Sequence, residues 1–324
     1  MPRRNNPVTV VALLGPTAVG KSRMAAELAP HLEAEIISVD SMQVYRGMDI
    51  GTAKPDDSLR RRVPNHLLDI VNPTDDFSVA EYQEAARRAV EDIAGRGNLP
   101  FLVGGTGLYF EAVVFDMRFP PGSLDDPLRR RLEEWGTEDP EGLRKRLEEV
   151  DPEFAAGEGF ANTRRVIRAI EVYERTGTPF SAFQAGRGER RPFYGYVGVV
   201  LDAPRPLLYR AIDARVDRMI EAGLVDEVSG LAERGGLSRT ARQALGYKEI
   251  LDYLDRGKTL EETICDIKKR SRRYAKRQIT WFRRIPWLRW FELEEGDLTG
   301  GTSRAAAAVL DYLGEELERR RIRP

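Results

Sequence analysis

Over the first 116 residues, short uninterrupted apolar runs alternate with longer amphipathic stretches. Val8 to Leu14 is apolar, and Ser22 to Leu32 carries its apolar residues at helical spacing. Glu35-Ile36-Ile37-Ser38-Val39-Asp40 reads as a second buried strand, and Phe101-Leu102-Val103 as a third. Between them, Ser78 with Glu81 three residues on predicts a capping box for a helix through about Ile93, stopped by Gly95 and Gly97. Strands that alternate with helices predict a doubly wound, parallel α/β sheet. In such sheets ligands bind at the carboxyl ends of the strands. Three of these ends are polar or Gly-rich: Gly15 to Ser22, Asp40-Ser41, and Gly104-Gly105-Thr106-Gly107.

The pattern changes at Pro120-Pro121-Gly122. From Leu124 to about Arg175 the chain is charged and helical, broken at Asp139-Pro140 and at Gly157-Glu158-Gly159, and Gly186 to Arg191 reads as a polar loop. Strand character returns from Tyr194 to Leu201, and beyond Asp202 the chain reads as mostly helical, ending in an Ala-rich helix and a basic tail. The expected organisation is a first part of the core over residues 1–120, a helical insertion domain over 121–190, and completion of the core with basic C-terminal helices over 191–324.

Composition narrows the chemistry. With 324 residues, 41% of them hydrophobic, the chain is long enough for a sizeable core. A single cysteine, Cys265, excludes an internal disulfide framework and suits a reducing cytosol, and with only His31 and His66 it leaves no His/Cys zinc cluster. Met1-Pro2-Arg3-Arg4 before Val8–Leu14 loosely imitates a secretory signal, but that apolar run is short and leads straight into the strongest motif of the chain. No stretch reaches the roughly 18–20 apolar residues that a membrane span needs. A cytoplasmic, membrane-free protein is expected.

That motif is Gly15-Pro16-Thr17-Ala18-Val19-Gly20-Lys21-Ser22, which fits G-x-x-x-x-G-K-[ST] between a predicted strand and a predicted helix. Its glycines let backbone N–H groups converge on phosphate oxygens, and the helix N-terminus adds its dipole. Lys21 adds a point charge and Ser22 a hydroxyl for Mg²⁺. Asp40 ends the next strand, which looks like a Walker B strand whose aspartate holds Mg²⁺ in an ATPase. Straight after the phosphate-loop helix, though, a carboxylate more naturally faces an acceptor beside the phosphates and accepts its proton; a turn or helix N-cap is the structural alternative. Gly104–Gly107 allows close approach to a ligand, with Thr106 as a donor, or is simply a tight strand-to-helix turn. In the helix around Leu207–Ala222, Leu208, Ile212, Arg215 and Met219 share one stripe, so Arg215 turns inward, toward diphosphate or a buried carboxylate.

The formal net charge of −1 hides a basic run from Lys268 to Arg284, beside which only Asp266 counters the charge locally. Ile264, Ile267, Ser271, Tyr274 and Trp281 form its inward stripe, which leaves the basic residues outward as a footprint for a phosphate backbone. A solvated helix face is the alternative. Trp281, Phe282, Trp287 and Trp290 are expected to be core or packing residues rather than base-stacking platforms. A second cluster, Arg164-Arg165-Val166-Ile167-Arg168, lies in the insertion, with Arg164 and Arg168 on one helix face.

These motifs together resemble the bacterial tRNA dimethylallyltransferase (tRNA isopentenyltransferase) family over roughly residues 8 to 290. The resemblance rests on Gly15–Ser22, on the block from Asp40-Ser41-Met42-Gln43 to Ala53-Lys54-Pro55, on Gly104–Gly107, on Arg164–Arg168, on Arg242-Gln243-Ala244-Leu245-Gly246-Tyr247-Lys248, and on Lys276-Arg277-Gln278-Ile279-Thr280-Trp281. Arg164 stands where the family usually has Gln, and Val19 where many members have Ser. The resemblance implies a P-loop NTPase-like fold that transfers a dimethylallyl group from dimethylallyl diphosphate to the exocyclic amine of the adenosine 3′ of the anticodon. It implies catalytic roles for Asp40, Thr106 and Arg215, and diphosphate binding by Gly15 to Ser22 with Mg²⁺ on Ser22. It further implies tRNA contacts by Asp40, Ser41, Met42, Gln43, Arg164, Arg165, Val166, Ile167, Arg168, Arg242, Gln243, Gly246, Lys276, Arg277, Gln278, Trp281 and Arg283, in a monomer. The alternatives are an adenylate isopentenyltransferase, a P-loop small-molecule kinase, or a non-catalytic RNA-binding module.

Overall fold

The structure is a computed structural model and describes residues 8–120, 126–157, 162–184, 190–299 and 303–321. The predicted features at Pro121-Gly122, Glu158-Gly159 and Gly186 to Glu189 lie outside the described residues. In chain order the first elements are β1 (Thr9–Leu14), α1 (Lys21–Leu28), β2 (Ala34–Val39), α2 (Asp57–Arg62), β3 (Asn65–His66), α3 (Val79–Gly95), β4 (Leu99–Gly104) and α4 (Gly107–Val114). Then come α5 (Pro127–Glu138), α6 (Pro140–Val150), α7 (Pro152–Ala155), α8 (Thr163–Thr176) and α9 (Phe180–Gln184). The chain continues with β5 (Gly195–Asp202), α10 (Arg205–Glu221), α11 (Leu224–Glu233), α12 (Tyr247–Arg256), α13 (Leu260–Phe282), β6 (Leu288–Glu292), α14 (Glu295–Thr299) and α15 (Ser303–Arg321).

The strands form one six-stranded parallel sheet in the order β3-β2-β4-β1-β5-β6. Val10 to Leu14 in β1 are fully buried. An uninterrupted apolar strand is what a parallel sheet covered on both faces requires. The phosphate loop follows this central strand, as in a P-loop NTPase-like core. The Ser78–Glu81 capping box is present at the start of α3.

The chain forms two compact units: one runs to Val114 and resumes at Phe193, and the other is Phe115–Pro192. The helical unit is therefore wider than the 121–190 expected. Its ends are joined by a bridge between Phe115 and Pro192 and by the Asp116 N–H, which donates to the Arg191 carbonyl at 2.9 Å. Its own core contains Leu132, Leu143, Leu147, Phe154, Val166, Ile167 and Ile170.

Two readings of the C-terminal third are corrected. Leu288–Glu292 is a strand, paired in parallel with β5, that the reading of this part as mostly helical did not single out. It is short, half-exposed and at the sheet edge, so neither a buried run nor clean alternation betrays it. Trp287, expected in the core, is 72% exposed, whereas Phe282 is fully buried. Among the described residues no helix is long and apolar enough to cross a membrane.

Candidate active site

The carboxyl ends of β1, β2 and β4 meet around one cavity of about 280 Å³, completed by α10, α13 and the residues before α12. The phosphate loop is shaped by left-handed backbone at Ala18 (φ 65°) and Gly20 (φ 89°). Gly20 caps α1 without any side-chain hydrogen bond, so the first N–H groups of that helix keep their affinity for an anion. Lys21 folds back over the loop, and its Nζ donates to the Pro16 carbonyl at 2.6 Å.

Beside it, Asp40 Oδ1 accepts from the amides of Met42 at 2.9 Å and Gln43 at 3.4 Å. The turn-forming role is thus real, but it occupies one oxygen: Oδ2 has no partner among the described residues, and the residue lines the cavity. The Gly105 and Thr106 amides both donate to the Val39 carbonyl, and Thr106 Oγ1 accepts from the Ser41 amide at 3.2 Å. A Cβ on Gly104 would collide with that Val39 carbonyl, so glycine is what lets the ends of β2 and β4 approach. Thr106 therefore positions the Asp40 turn and, through its hydroxyl, stands within that turn's hydrogen-bond network.

Arg215 enters from α10, on the inward side that its spacing predicted. Its guanidinium donates to the Thr52 carbonyl at 3.4 Å, and neither it nor Lys21 makes an ion pair among the described residues. The buried carboxylate partner that was the alternative for Arg215 is thus not found there. Burial, reinforced by the neighbouring Arg215 charge and opposed by Asp40, pulls the Lys21 ammonium down to about 7. Burial also depresses Arg215, against the attraction of Asp40. Two desolvated cations share a cavity wall with one half-engaged carboxylate. That deficit of negative charge suits a polyanion.

The remaining wall is of two kinds. Ile212, Val216, Met219, Leu245 and Ile267 form an apolar side. Tyr274 and Gln278, one turn apart on α13, form a polar one. Burial, helped by Asp40, pushes the Tyr274 hydroxyl up to about 12, so it is a neutral donor. Tyr274 was read from the sequence only as part of an inward stripe, and its place one turn before Gln278 was the available signal.

The expected RNA contacts divide in the same way. Ser41, Met42, Gln43, Gln243 and Arg277 line the cavity, and Arg242, Lys276, Trp281 and Arg283 are exposed. The Gln43 amide is already engaged: Oε1 accepts from Ser38 Oγ at 2.9 Å and Nε2 donates to the Thr52 carbonyl at 3.2 Å. Gly246 is buried in the left-handed region (φ 90°) at the start of α12, where its amide donates to Glu249 Oε2. In the insertion unit Arg164 and Arg165 are exposed. Val166 and Ile167 are core residues of that unit, since a helix with this spacing must turn two of five consecutive residues inward. Arg168 donates to Glu171 Oε2 at 2.9 Å and to the Pro120 carbonyl at 2.7 Å.

The basic run is less unbalanced than its local sequence. Lys268 pairs with Asp217 at 2.6 Å, Arg272 with Asp213 at 2.5 Å, and Arg270 with Glu249 at 2.9 Å, partners that lie on α10 and α12. Lys269, Arg273, Lys276 and Arg277 stay exposed without an ion pair among the described residues. Their spacing of four, three and one puts them on one stripe of α13.

A family model described as IPP transferase matches residues 43–285, and one described as isopentenyl transferase matches residues 8–64. A relative from Moorella thermoacetica, named tRNA dimethylallyltransferase, is 48% identical over 95% of this chain and 96% of its own. The full-length tRNA isopentenylpyrophosphate transferase of Bacillus halodurans superposes with a TM-score of 0.70 at 42% identity, covering 96% of this chain and 97% of that one. A eukaryotic dimethylallyltransferase acting on tRNA gives a TM-score of 0.77 at 28% identity, over 95% of this chain and 80% of that one. With the phosphate loop, the half-engaged aspartate and the two unpaired cations gathered at the head of one parallel sheet, the chain belongs to the IPP transferase family.

Proposed function

We propose that the protein transfers a dimethylallyl group from dimethylallyl diphosphate to the exocyclic N6 amine of the adenosine 3′-adjacent to the anticodon in tRNA, releasing diphosphate, in the cytoplasm. The observation that carries this reading is the pair of desolvated cations, Lys21 and Arg215, that face a cavity shared with Asp40 and an apolar wall. Diphosphate supplies the missing negative charge. The apolar side, Ile212, Val216, Met219 and Ile267, suits a five-carbon prenyl chain.

The reaction forms one carbon–nitrogen bond and breaks one carbon–oxygen bond. The adenine amine is a weak nucleophile, because its lone pair is delocalised into the ring. Asp40 Oδ2 accepts the N6 proton as the bond to carbon forms. Charge that grows on the departing diphosphate is met by the N–H groups of Ala18 to Ser22, by Lys21 and by Arg215, all in place beforehand. Thr106 holds the Asp40 turn and donates to the leaving group. The target base must leave its stack to reach Asp40, which an anticodon loop allows cheaply. The stripe Lys269, Arg273, Lys276 and Arg277 follows the RNA backbone, with Arg242, Gln243, Trp281 and Arg283 beside it and Arg164 and Arg165 on the insertion unit.

The residues also fit Mg²⁺. Among the described residues no group of three or more His, Cys, Asp or Glu could form a protein-only metal site. Ser22 lines the cavity at the mouth of α1 and offers a hydroxyl, the mixed arrangement in which a small hard cation takes few protein ligands and several phosphate oxygens. When bound, the ion neutralises charge on the leaving diphosphate.

Incubation with dimethylallyl diphosphate and an anticodon stem-loop, followed by mass analysis of the nucleosides, tests the reading. A gain of one prenyl group on that adenosine is expected, with stoichiometric diphosphate. Preference for AMP would favour the adenylate enzyme, and ATP turnover without prenyl donor would favour a kinase; either overturns it.

A further inference from the structure

The basic helix α13 reaches the phosphate loop through one side chain. Gln278 is buried, 6% exposed, and turns away from the basic stripe. Its Oε1 accepts from the Thr17 amide at 2.9 Å, and its Nε2 donates to the Gly105 carbonyl at 2.9 Å. The two partners set the orientation of the carboxamide, since an N–H needs the oxygen and a carbonyl needs the amino group. A single residue thus ties the phosphate loop after β1 to the Gly-rich turn after β4.

Three further observations show that the tie is built in. A Cβ on Gly105 would collide with Gln278 Nε2, so only glycine leaves room for this contact. A Cβ on Gly107 would likewise collide with the indole of Trp281, so α13 is seated against that turn at two points, three residues apart. Finally, Thr17 directly precedes Ala18, which holds a left-handed φ of 65° without being glycine. Such backbone persists only where its surroundings over-determine it. The Thr17 amide is held from 261 residues away in the chain, immediately beside the strained residue.

We propose that Gln278 is a positioning residue of the diphosphate site: it holds the phosphate loop, at Thr17, in the shape that receives the leaving group. It acts through the loop and touches neither reacting atom. This rests on the prenyl-transfer reading for the identity of the leaving group, but not for the anion site itself. It also separates Gln278 from its exposed neighbours Lys276 and Arg277, whose role is at the RNA backbone.

The test is Gln278→Met, which keeps the volume and the buried packing while removing both hydrogen bonds, with Gln278→Glu alongside. Glutamate can still accept from the Thr17 amide, but it cannot donate to the Gly105 carbonyl when ionised, and it adds negative charge near the anion. Binding of inorganic diphosphate by calorimetry and of an anticodon stem-loop by fluorescence titration are both measured on the full chain. Gln278→Met is expected to weaken diphosphate binding about tenfold, as the loss of a buried hydrogen-bond pair implies, and to raise KM for the prenyl donor similarly. RNA affinity and its salt slope are expected to stay unchanged. Gln278→Glu is expected to weaken diphosphate binding further.

Unchanged diphosphate affinity with weakened RNA binding would overturn the proposal and make Gln278 an RNA contact. A fall in thermal stability with both affinities unchanged would overturn it too, leaving a packing residue. Wild-type protein that binds diphosphate but transfers no prenyl group would instead defeat the prenyl-transfer reading and leave the role of Gln278 in anion binding to be judged on its own.

Discussion

Strand β2 carries a carboxylate near its start and another just beyond its end, and the two have opposite environments. Glu35 is 6% exposed and saturated: Asn98 donates at 2.6 Å, Arg96 at 3.0 and 2.8 Å, and His66 Nε2 lies at 2.7 Å. Burial alone would raise its pKa, but those partners outweigh it and hold the carboxyl at about 2. Asp40 has one oxygen in a turn and faces two cations with which it forms no ion pair. A buried charge with every partner in place belongs to the architecture. A half-buried carboxylate beside cations that it does not pair with leaves room for a ligand, and in an open parallel sheet such room falls at the carboxyl ends of the strands.

The contrast can be broken most directly by exchanging charge for neutrality at each end. Asp40→Asn is expected to lower the transfer rate by about 10²–10⁴-fold while tRNA still binds, as single-turnover kinetics and a binding titration would show. Near-normal turnover would remove Asp40 from the role of base. Glu35→Gln is expected to cost about 1–3 kcal/mol of stability in urea denaturation and to leave kcat of the folded protein unchanged. Equal loss of activity would mean that the two ends are not separable.

Arg215→Leu sharpens the same point through the cations. It removes an unpaired, desolvated charge, so diphosphate affinity is expected to fall by about tenfold or more, as for the loss of a charge-assisted contact. The ligand-free protein is expected to become no less stable. A stability loss comparable to that of Glu35→Gln would show that Arg215 is structurally paired.

The two ends also separate in pH. The folded pKa of Glu35, about 2, lies below its unfolded value near 4.3, so its stabilisation is present above that value and lost as pH falls toward 2. The folded pKa of Lys21, about 7, lies below an unfolded value near 10.4. Unfolding then takes up a proton between those limits, and ligand-free stability rises with pH from 7 to about 10. Diphosphate restores the charged lysine, so it should abolish this second slope and leave the first. Its affinity should fall by up to about tenfold per pH unit above 7. A slope that diphosphate leaves intact would remove Lys21 from the anion site.

The smallest effect concerns the outer stripe. Lys276→Ala combined with Arg277→Ala is expected to weaken tRNA binding and to reduce its log–log salt slope by about 1–2. Lys268→Ala, whose partner is Asp217, should leave the slope nearly unchanged. Equal effects from both would return the helix to a generally attractive solvated surface.

Much of the site was legible because its signals are local. The phosphate loop lies between an apolar run and a helix, Ser78 and Glu81 cap at their predicted spacing, and periodicity turned Arg215 inward. What was illegible depended on residues far apart in the chain. The local sequence offers one counter-charge to the basic run, while Asp213, Asp217 and Glu249 pair with three of its nine basic residues from other helices. β6 owes its strand state to pairing with β5 and not to its own pattern. Trp287 looked like a core residue because hydrophobicity carries no direction by itself; its exposure follows from the left-handed turn (φ 61°) that leads into the edge strand.

By itself, then, the order of residues determined the alternating strands and helices, the phosphate loop and the identity of the groups that could do chemistry. Each of these follows from interactions within a few residues of chain. Only the tertiary structure decided which of those groups are satisfied and which are not. It filled every hydrogen-bonding position of Glu35, left Lys21 and Arg215 without a carboxylate, and turned Gln278 from the basic helix into the phosphate loop. The physical reason is that the energy of a buried charge is set by the partners that packing brings within about 3 Å, wherever they lie in the chain.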